Sequence, residues 1–480
     1  MAKILITGST GYIGSKLIDK LQYTEHKIRC LTRQPLSSNE KIPINVEYVK
    51  GNVFDMKSLK SSMEGIEQTF YLIHSMGEKG DFVELDRKAA INFSKAAREK
   101  GIRRIIFLGG LSESNKDLSA HLKSRQEVGQ ILRSSNVPVI EFRASIIIGS
   151  GSLSFEMIRA LVERLPVMVT PSWVRLPAQP IAIADVISYL TSALDLPFDE
   201  NRIFEIGGAD TVSYGEIMKE YSKQRKLHRI MLPVPVLTPA LSSLWLHLVT
   251  PLYARIGRIL IESIVHPTII KDKSALKTFH IKPVGIIRAI KNALKSEEKE
   301  FAEKDWSTFA EGTDKLKNLK FFRKGNRYID PYSIEIDAPS KPLFESALKV
   351  LGDQSFYFGN ILFLLRELID LIFGGFGFRK MTSPPEKIKS GDVIRFYRVE
   401  RITPDKFVRL QVEIKNPGDA WLEISSKDHD NSKKLSFTII FNPKGLFGIL
   451  YWYMTYPLHR IAFRGLLKRI EKKTLELDKK

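Results

Sequence analysis

Cysteine is nearly absent. The 480 residues hold one, Cys30, so no disulfide forms within the chain and a small fold held together by such bridges is excluded. Cys30 falls in the apolar run "KIRCLT", which reads as a buried strand, and the compartment expected is a reducing one. No group of His, Cys, Asp and Glu has the spacing of metal ligands. Paired Cys/His ligands and the aromatic strand signature of RNA-binding modules are missing too, so nucleic acid is the least supported partner. An uninterrupted apolar run of the ~20 residues that a membrane span needs is also lacking. The stretch "IMLPVPVLTPALSSLWLHLVTPLYA" (230–254) carries no Asp, Glu, Lys or Arg, but Pro233, Pro235, Pro239 and Pro251 cut it into short pieces. The opening residues "MAKILITGSTG" enter a strand directly, without the apolar core and cleavage site of a secretory signal. The expectation is a cytoplasmic protein with no transmembrane helix.

What the chain does have is positive charge and ample apolar content. A net charge of +20 and 43% hydrophobic residues fit two or three globular domains. The charge suits an acidic partner, either a phosphorylated cofactor or an anionic membrane face, and equally suits a basic solvated surface. In the N-terminal half, the runs "KILIT", "KIRCLT", "VEYVKG", "QTFYLIH", "RIIFLGG" and "PVIEFR" alternate with helical patterns, which predicts an α/β domain with a doubly wound parallel sheet. It takes in residues 1–295, of which about 151–295 read as elaborations covering one end of the sheet. The charged stretch around 296–319 reads as a linker. Residues 320–480 change texture to alternating strands separated by turn residues, an antiparallel sheet in an α+β domain, closed by a helical pattern from Leu446 to Leu477 that Pro457 is expected to break or kink.

"ILITGSTGYIGSKLIDKL" is the strongest motif. It sets Gly8, Ser9, Thr10, Gly11, Tyr12, Ile13 and Gly14 between a first strand and an amphipathic helix. There a tight backbone turn and a helix N-terminus can receive a pyrophosphate. The second strand ends in Thr32 and Arg33, where an NAD-binding site would place a carboxylate on the ribose hydroxyls. A guanidinium suits a 2′-phosphate instead, so NADP(H) is expected over NAD(H). His74, after the fourth strand, is expected to face the crevice outside the strand ends.

The segments "TGSTGYIG", "GNVFD", "FLGGLSE" and "PIAIADVISYL" together resemble the extended and atypical short-chain dehydrogenase/reductase superfamily, including its NADH dehydrogenase accessory-subunit type. The resemblance covers about residues 1–290. It implies a Rossmann fold and an adenine contact at Asn52 and Val53, with Asn52 standing where the pattern usually has Asp. It also implies a catalytic helix with Tyr and Lys four apart. Here His121 and Arg125 replace them, with Ser124 just before and Ser112 after "FLGG". His121 can shuttle a proton and Arg125 can hold the ribose, so the candidate catalytic set is His121, Arg125 and Ser112. An alternative remains, in which these residues hold a cofactor without transferring anything.

"LIFGGFGFRK", "GDVIRFYRVERITPDKFVRLQVEIKNPGDAWLEI" and "GLFGILYWYMTYPLHRIAFRGLL" resemble an uncharacterised domain that follows a nucleotide-binding domain in a bacterial family of predicted NAD(P)-binding proteins. The element order is similar to helix-grip folds of the START and polyketide-cyclase type. That likeness implies an apolar cavity for a hydrophobic small molecule, lined by Phe447, Tyr451, Trp452, Tyr453, Tyr456, Phe463 and Trp421; packed core is the other reading of the same aromatics. On the terminal helix, Phe463, Leu466, Leu467, Ile470 and Leu477 share a side, with Arg464, Lys468, Arg469 and Lys472 among the polar positions. That pattern fits either peripheral membrane contact or a buried apolar face with a solvated basic one. The two functional readings are an atypical NADP-dependent oxidoreductase acting on an apolar substrate, and a non-catalytic, cofactor-stabilised protein that binds a lipid, a quinone-like molecule or a partner.

Overall fold

The computed structural model describes residues 1–34, 42–76, 80–112, 118–197, 199–234, 259, 262–263, 266–306, 321–336, 340–352, 384, 388–429 and 432–478. Most of the proline-broken stretch and the "LIFGGFGFRK" segment lie outside the described residues. The chain divides into two compact units, Met1–Lys299 and Glu300–Lys480.

In the first unit, six strands fall where the apolar runs predict them: β1 (Lys3–Thr7), β2 (Lys27–Thr32), β3 (Val46–Lys50), β4 (Gln68–Tyr71), β5 (Arg104–Gly110) and β6 (Val139–Ala144). A seventh, Arg202–Ile206, pairs with β6. The order across the sheet is β3, β2, β1, β4, β5, β6 and the seventh strand, all neighbours parallel. Ile4, Ile6, Phe70, Ile106 and Phe142 pack on one face, while Leu5, Tyr71, Ile105 and Phe107 pack on the other. Both faces are therefore covered, as a parallel sheet requires. Cys30 lies buried in β2. The strand order reverses direction between β1 and β4, and a crevice opens there at the carboxyl ends of the strands.

The second unit is an antiparallel sheet of seven strands, in the order Phe322–Lys324, Arg327–Ile336, Ser432–Pro443, Gly418–His429, Phe407–Val412, Tyr397–Thr403 and Val393–Ile394. The run "DVIRFYRVERIT" reads as one strand but forms two. Arg395 takes a positive φ of 58°, and Ile394 pairs back on Tyr397. The terminal helix Gly445–Asp478 runs through Pro457 without a break.

The aromatic residues of this unit separate into two groups. Trp452, Tyr456 and Phe463 are buried in the core with Tyr328, Phe437 and Phe441; Trp452 stacks on Phe441 at 5.7 Å. Phe447 and Tyr453 are exposed. Among the described residues a space of about 30 Å³ lies beside Phe463 and Leu466, while Trp452, Tyr456 and Phe463 each pack on a neighbouring aromatic ring. Phe463, Leu466, Leu467 and Ile470 are also buried, so the apolar side read from the sequence is turned into the core. On the other face of the sheet, Phe301 and Trp306, from the stretch expected as a linker, pack with Trp421, Ile329 and Ile440. A buried ion pair lies beneath them. Arg409 binds Glu423 at 2.6 Å and donates to the carbonyls of Ala302 and Lys304, while Glu423 accepts the Trp306 backbone N–H at 2.9 Å.

Candidate functional site

The loop after β1 depends on two close backbone approaches. Gly8 has φ +71°, and a Cβ there would lie 2.6 Å from the Leu72 carbonyl oxygen; a Cβ on Gly14 would lie 2.3 Å from the Gly8 carbonyl oxygen. Helix α1 (Tyr12–Leu21) starts at Gly11, which brings no side-chain cap, so the first-turn N–H groups face the crevice as an anion site would require. The crevice encloses about 590 Å³, and Gly8, Thr10, Gly11, Tyr12, Ile13, Gly14, Arg33, Asn52, Val53, His74 and His121 are all on its wall. Ser9 points away; its hydroxyl donates to the Leu31 carbonyl and ties the loop to β2.

A smaller space of about 260 Å³ adjoins the crevice. Ile13, Leu72, His74, His121, Ser145, Ile147 and Ser154 belong to both walls. The rest of its lining is mainly apolar, with hydroxyls from Tyr214, Ser263 and Thr268. Arg125 lines this smaller space rather than the crevice. Its guanidinium is engaged by the carbonyls of Ile73 (3.1 Å) and Leu108 (2.6 Å) and lies over the Phe107 ring at 4.8 Å. Ser112 lines neither space and accepts a hydrogen bond from Gln126.

Two histidines stand at the junction. The rings of His74 and His121 stack with centroids 5.0 Å apart. On helix α2 (Phe82–Glu99), the buried Asp86 meets His74 Nδ1 at 2.9 Å and accepts the Ser75 N–H at 2.8 Å and the Ser124 hydroxyl at 3.3 Å. Burial alone would raise the Asp86 carboxyl; the His74 hydrogen bond and charge, with Arg125, outweigh it and hold Asp86 below the usual carboxylate range. His74 Nδ1 is thus the protonated nitrogen, and His74 Nε2 is buried with no hydrogen-bond partner among the described residues. Burial, reinforced by the Arg125 charge and opposed by the Asp86 hydrogen bond, lowers the pKa of the ring.

On helix α3 (Ala120–Arg133), His121 Nδ1 meets Ser263 Oγ at 3.0 Å. Ser263 donates its own proton to the Ile259 carbonyl, so His121 Nδ1 is the donor and its Nε2 is bare. Burial first, then the neighbouring His74 and Arg125, bring His121 down to about 3.

This depression makes unit 1 sensitive to acid. Below the ordinary histidine pKa of 6.5, the unfolded chain takes up a proton that folded His121 refuses until about pH 3. Stability present above pH 6.5 is therefore lost as the pH falls through that window, by at most about 1.4 kcal/mol per pH unit. His121→Phe is expected to flatten this acid limb in thermal unfolding scans at pH 4 to 7, and an unchanged limb would place the proton uptake elsewhere.

The sequence reading missed Asp86, Ser263 and the hydroxyl group of Tyr214. Asp86 left a signal: it is in phase with Ala89, Ala90, Phe93 and Ala97, the buried side of α2. Ser263 and Tyr214 left none, because only the fold brings them to the site.

Comparison with known proteins follows the division of the chain. The NmrA-like family model matches residues 1–311, and a model described as "Protein of unknown function (DUF2867)" matches residues 323–466. Over 260 residues the chain is 20% identical to UDP-glucose 4-epimerase of Vibrio cholerae, covering 48% of this chain and 79% of that one. It is 24% identical over 111 residues to cinnamoyl-CoA reductase 1 of Oryza sativa subsp. japonica, covering 22% and 33%. Among solved structures, an epimerase from Methanothermobacter thermautotrophicus superimposes with a TM-score of 0.50 at 12% identity, covering 63% of this chain and 93% of that one, a likeness of fold. No helix among the described residues is long and apolar enough to cross a membrane.

Proposed function

We propose, for a chain that belongs to the NmrA-like family, that unit 1 is an atypical short-chain dehydrogenase/reductase that binds NADP(H) in the crevice and oxidises or reduces an uncharged, mainly apolar substrate in the adjoining space. One observation carries the reading: the crevice beside the glycine loop opens onto an apolar compartment, with two neutral histidines at the junction. Arg33 on the crevice wall supports a 2′-phosphate.

The substrate class follows from charge. Among the described lining residues of the smaller space, the one permanent cation is Arg125, and two backbone carbonyls already engage it. A phosphate or carboxylate would be buried there without a counterion, which is costly. A hydroxyl or carbonyl on an apolar body needs only the hydroxyls and imidazoles present. In alcohol oxidation, His121, whose Nε2 is bare, takes the hydroxyl proton, and Asp86 stabilises the resulting charge through the stacked His74. A dinucleotide held by the glycine loop and the crevice wall would supply the hydride acceptor.

A second reading is a cofactor-stabilised protein without turnover, and the carbonyls of Ile73 and Leu108 on Arg125 support it, since they compete with a ribose for the guanidinium. A single experiment separates the two. The intact chain is titrated with NADPH and NADH, then assayed with a panel of uncharged alcohols, ketones and aldehydes. The first reading expects tighter binding of NADPH, an Arg33→Glu variant that loses about tenfold or more of that preference, and turnover that His121→Ala removes while NADPH affinity holds. Dinucleotide binding with no turnover across the panel would leave the second reading standing.

A further inference from the structure

We propose that the first half of the terminal helix docks on an anionic lipid surface, using a side of the helix opposite to its core-facing one. Its buried side is filled by Trp452, Tyr456, Phe463 and Leu466. Five large apolar side chains stand out from it instead: Phe447 (76% exposed), Leu450 (51%), Met454 (76%), Leu458 (43%) and Ile461 (59%). They are spaced three, four, four and three residues apart, so at 100° per residue they share a sector ~80° wide and ~21 Å long. Isolated surface leucines need no explanation, but a continuous apolar stripe of this kind marks a docking face.

The charge pattern identifies what docks. From Gly445 to Ile470 the helix contains no Asp or Glu, but it does contain Arg460, Arg464, Lys468 and Arg469. The same angular sector continues past Ile461 through Gly465 to Lys468 and Lys472, which are exposed, with Arg464 at its margin. One line along the helix is therefore apolar for four turns and basic for the next two. Acyl chains take the first part and lipid phosphates the second, as for a helix lying in the plane of a bilayer. The exposed Tyr453 at the edge of the stripe carries an apolar ring with a polar tip, suited to the headgroup level. An apolar protein groove would meet the stripe but would leave its basic continuation without a function.

The test is sedimentation of the full chain with vesicles of phosphatidylcholine alone and of phosphatidylcholine mixed with phosphatidylserine, at low salt. Binding is expected to the mixed vesicles, to fall with added salt, to drop about fivefold for each of Lys468→Gln and Lys472→Gln, and to disappear in Met454→Glu/Leu458→Glu. All four positions are exposed, and unchanged thermal unfolding shows that the variants fold. Three results overturn the proposal. The wild-type chain pellets with neither vesicle, or Met454→Glu/Leu458→Glu pellets as well as wild type, leaving net charge alone responsible. In the third, the wild type forms a concentration-dependent dimer that these substitutions dissolve, which assigns the stripe to a second copy of the chain.

Discussion

Gly14→Ala is expected to lower NADPH affinity by about a hundredfold, roughly 2.7 kcal/mol. The added methyl would lie 2.3 Å from the Gly8 carbonyl oxygen and 2.9 Å from the Ser9 Cα. Both obstacles are backbone, so no side-chain rotation relieves the clash, and the loop must move away from the position that exposes the α1 N-terminus. Gly8→Ala is expected to act in the same direction through its positive φ and its approach to Leu72. Gly465→Ala serves as the comparison, because a Cβ there meets nothing within 4 Å; helix propensity predicts a gain of about 0.5–1 kcal/mol. Titration of the three variants by nicotinamide fluorescence checks the ranking, and near-wild-type affinity in Gly14→Ala would mean that the loop is not where the pyrophosphate binds.

Glu423→Ala is the largest stability effect expected in the second unit, about 3–5 kcal/mol. Its removal leaves the Arg409 guanidinium buried without a counterion, and the Trp306 backbone N–H without its acceptor. Arg409→Met combined with Glu423→Leu removes both charges and is expected to cost much less than the single change, because no ion is then buried alone. Urea unfolding followed by tryptophan fluorescence measures this directly, since Trp306 sits against the pair. Equal destabilisation by the single and double variants would show that the network acts through shape rather than charge.

The parts of this protein that are legible in the sequence are those where one physical cause dominates. Strands β1, β2, β4, β5 and β6 are buried on both faces, so each appears within a near-continuous apolar run, and the glycine loop is spelled out by steric need at Gly8 and Gly14. The terminal helix is different. It carries large apolar residues nearly all the way round, Phe447 and Met454 on one side and Trp452 and Tyr456 on another, so periodicity alone does not say which side faces the core. Its partner sheet decides. At the site, Arg125 reads as a ribose clamp from its place four residues after His121, yet the carbonyls that engage it come from Ile73 and Leu108, at the ends of different strands. Asp86 looks like a solvated acid until its phase with Phe93 and Ala97 is noticed, and Ser263 reaches His121 from 142 residues away. Long-range closure of this kind leaves no local trace.

The lone thiol of Cys30 has a practical consequence. It is wholly buried, and burial, with the Glu47 carboxylate nearby, pushes it up to about 12, so at neutral pH almost none of it is the reactive thiolate. Toward maleimides and nitroxide reagents the folded chain therefore behaves as if it were cysteine-free. A single Leu450→Cys change would introduce one addressable position on the outer stripe of the terminal helix, and a spin label there would report immersion depth or water access without any native residue having to be removed first.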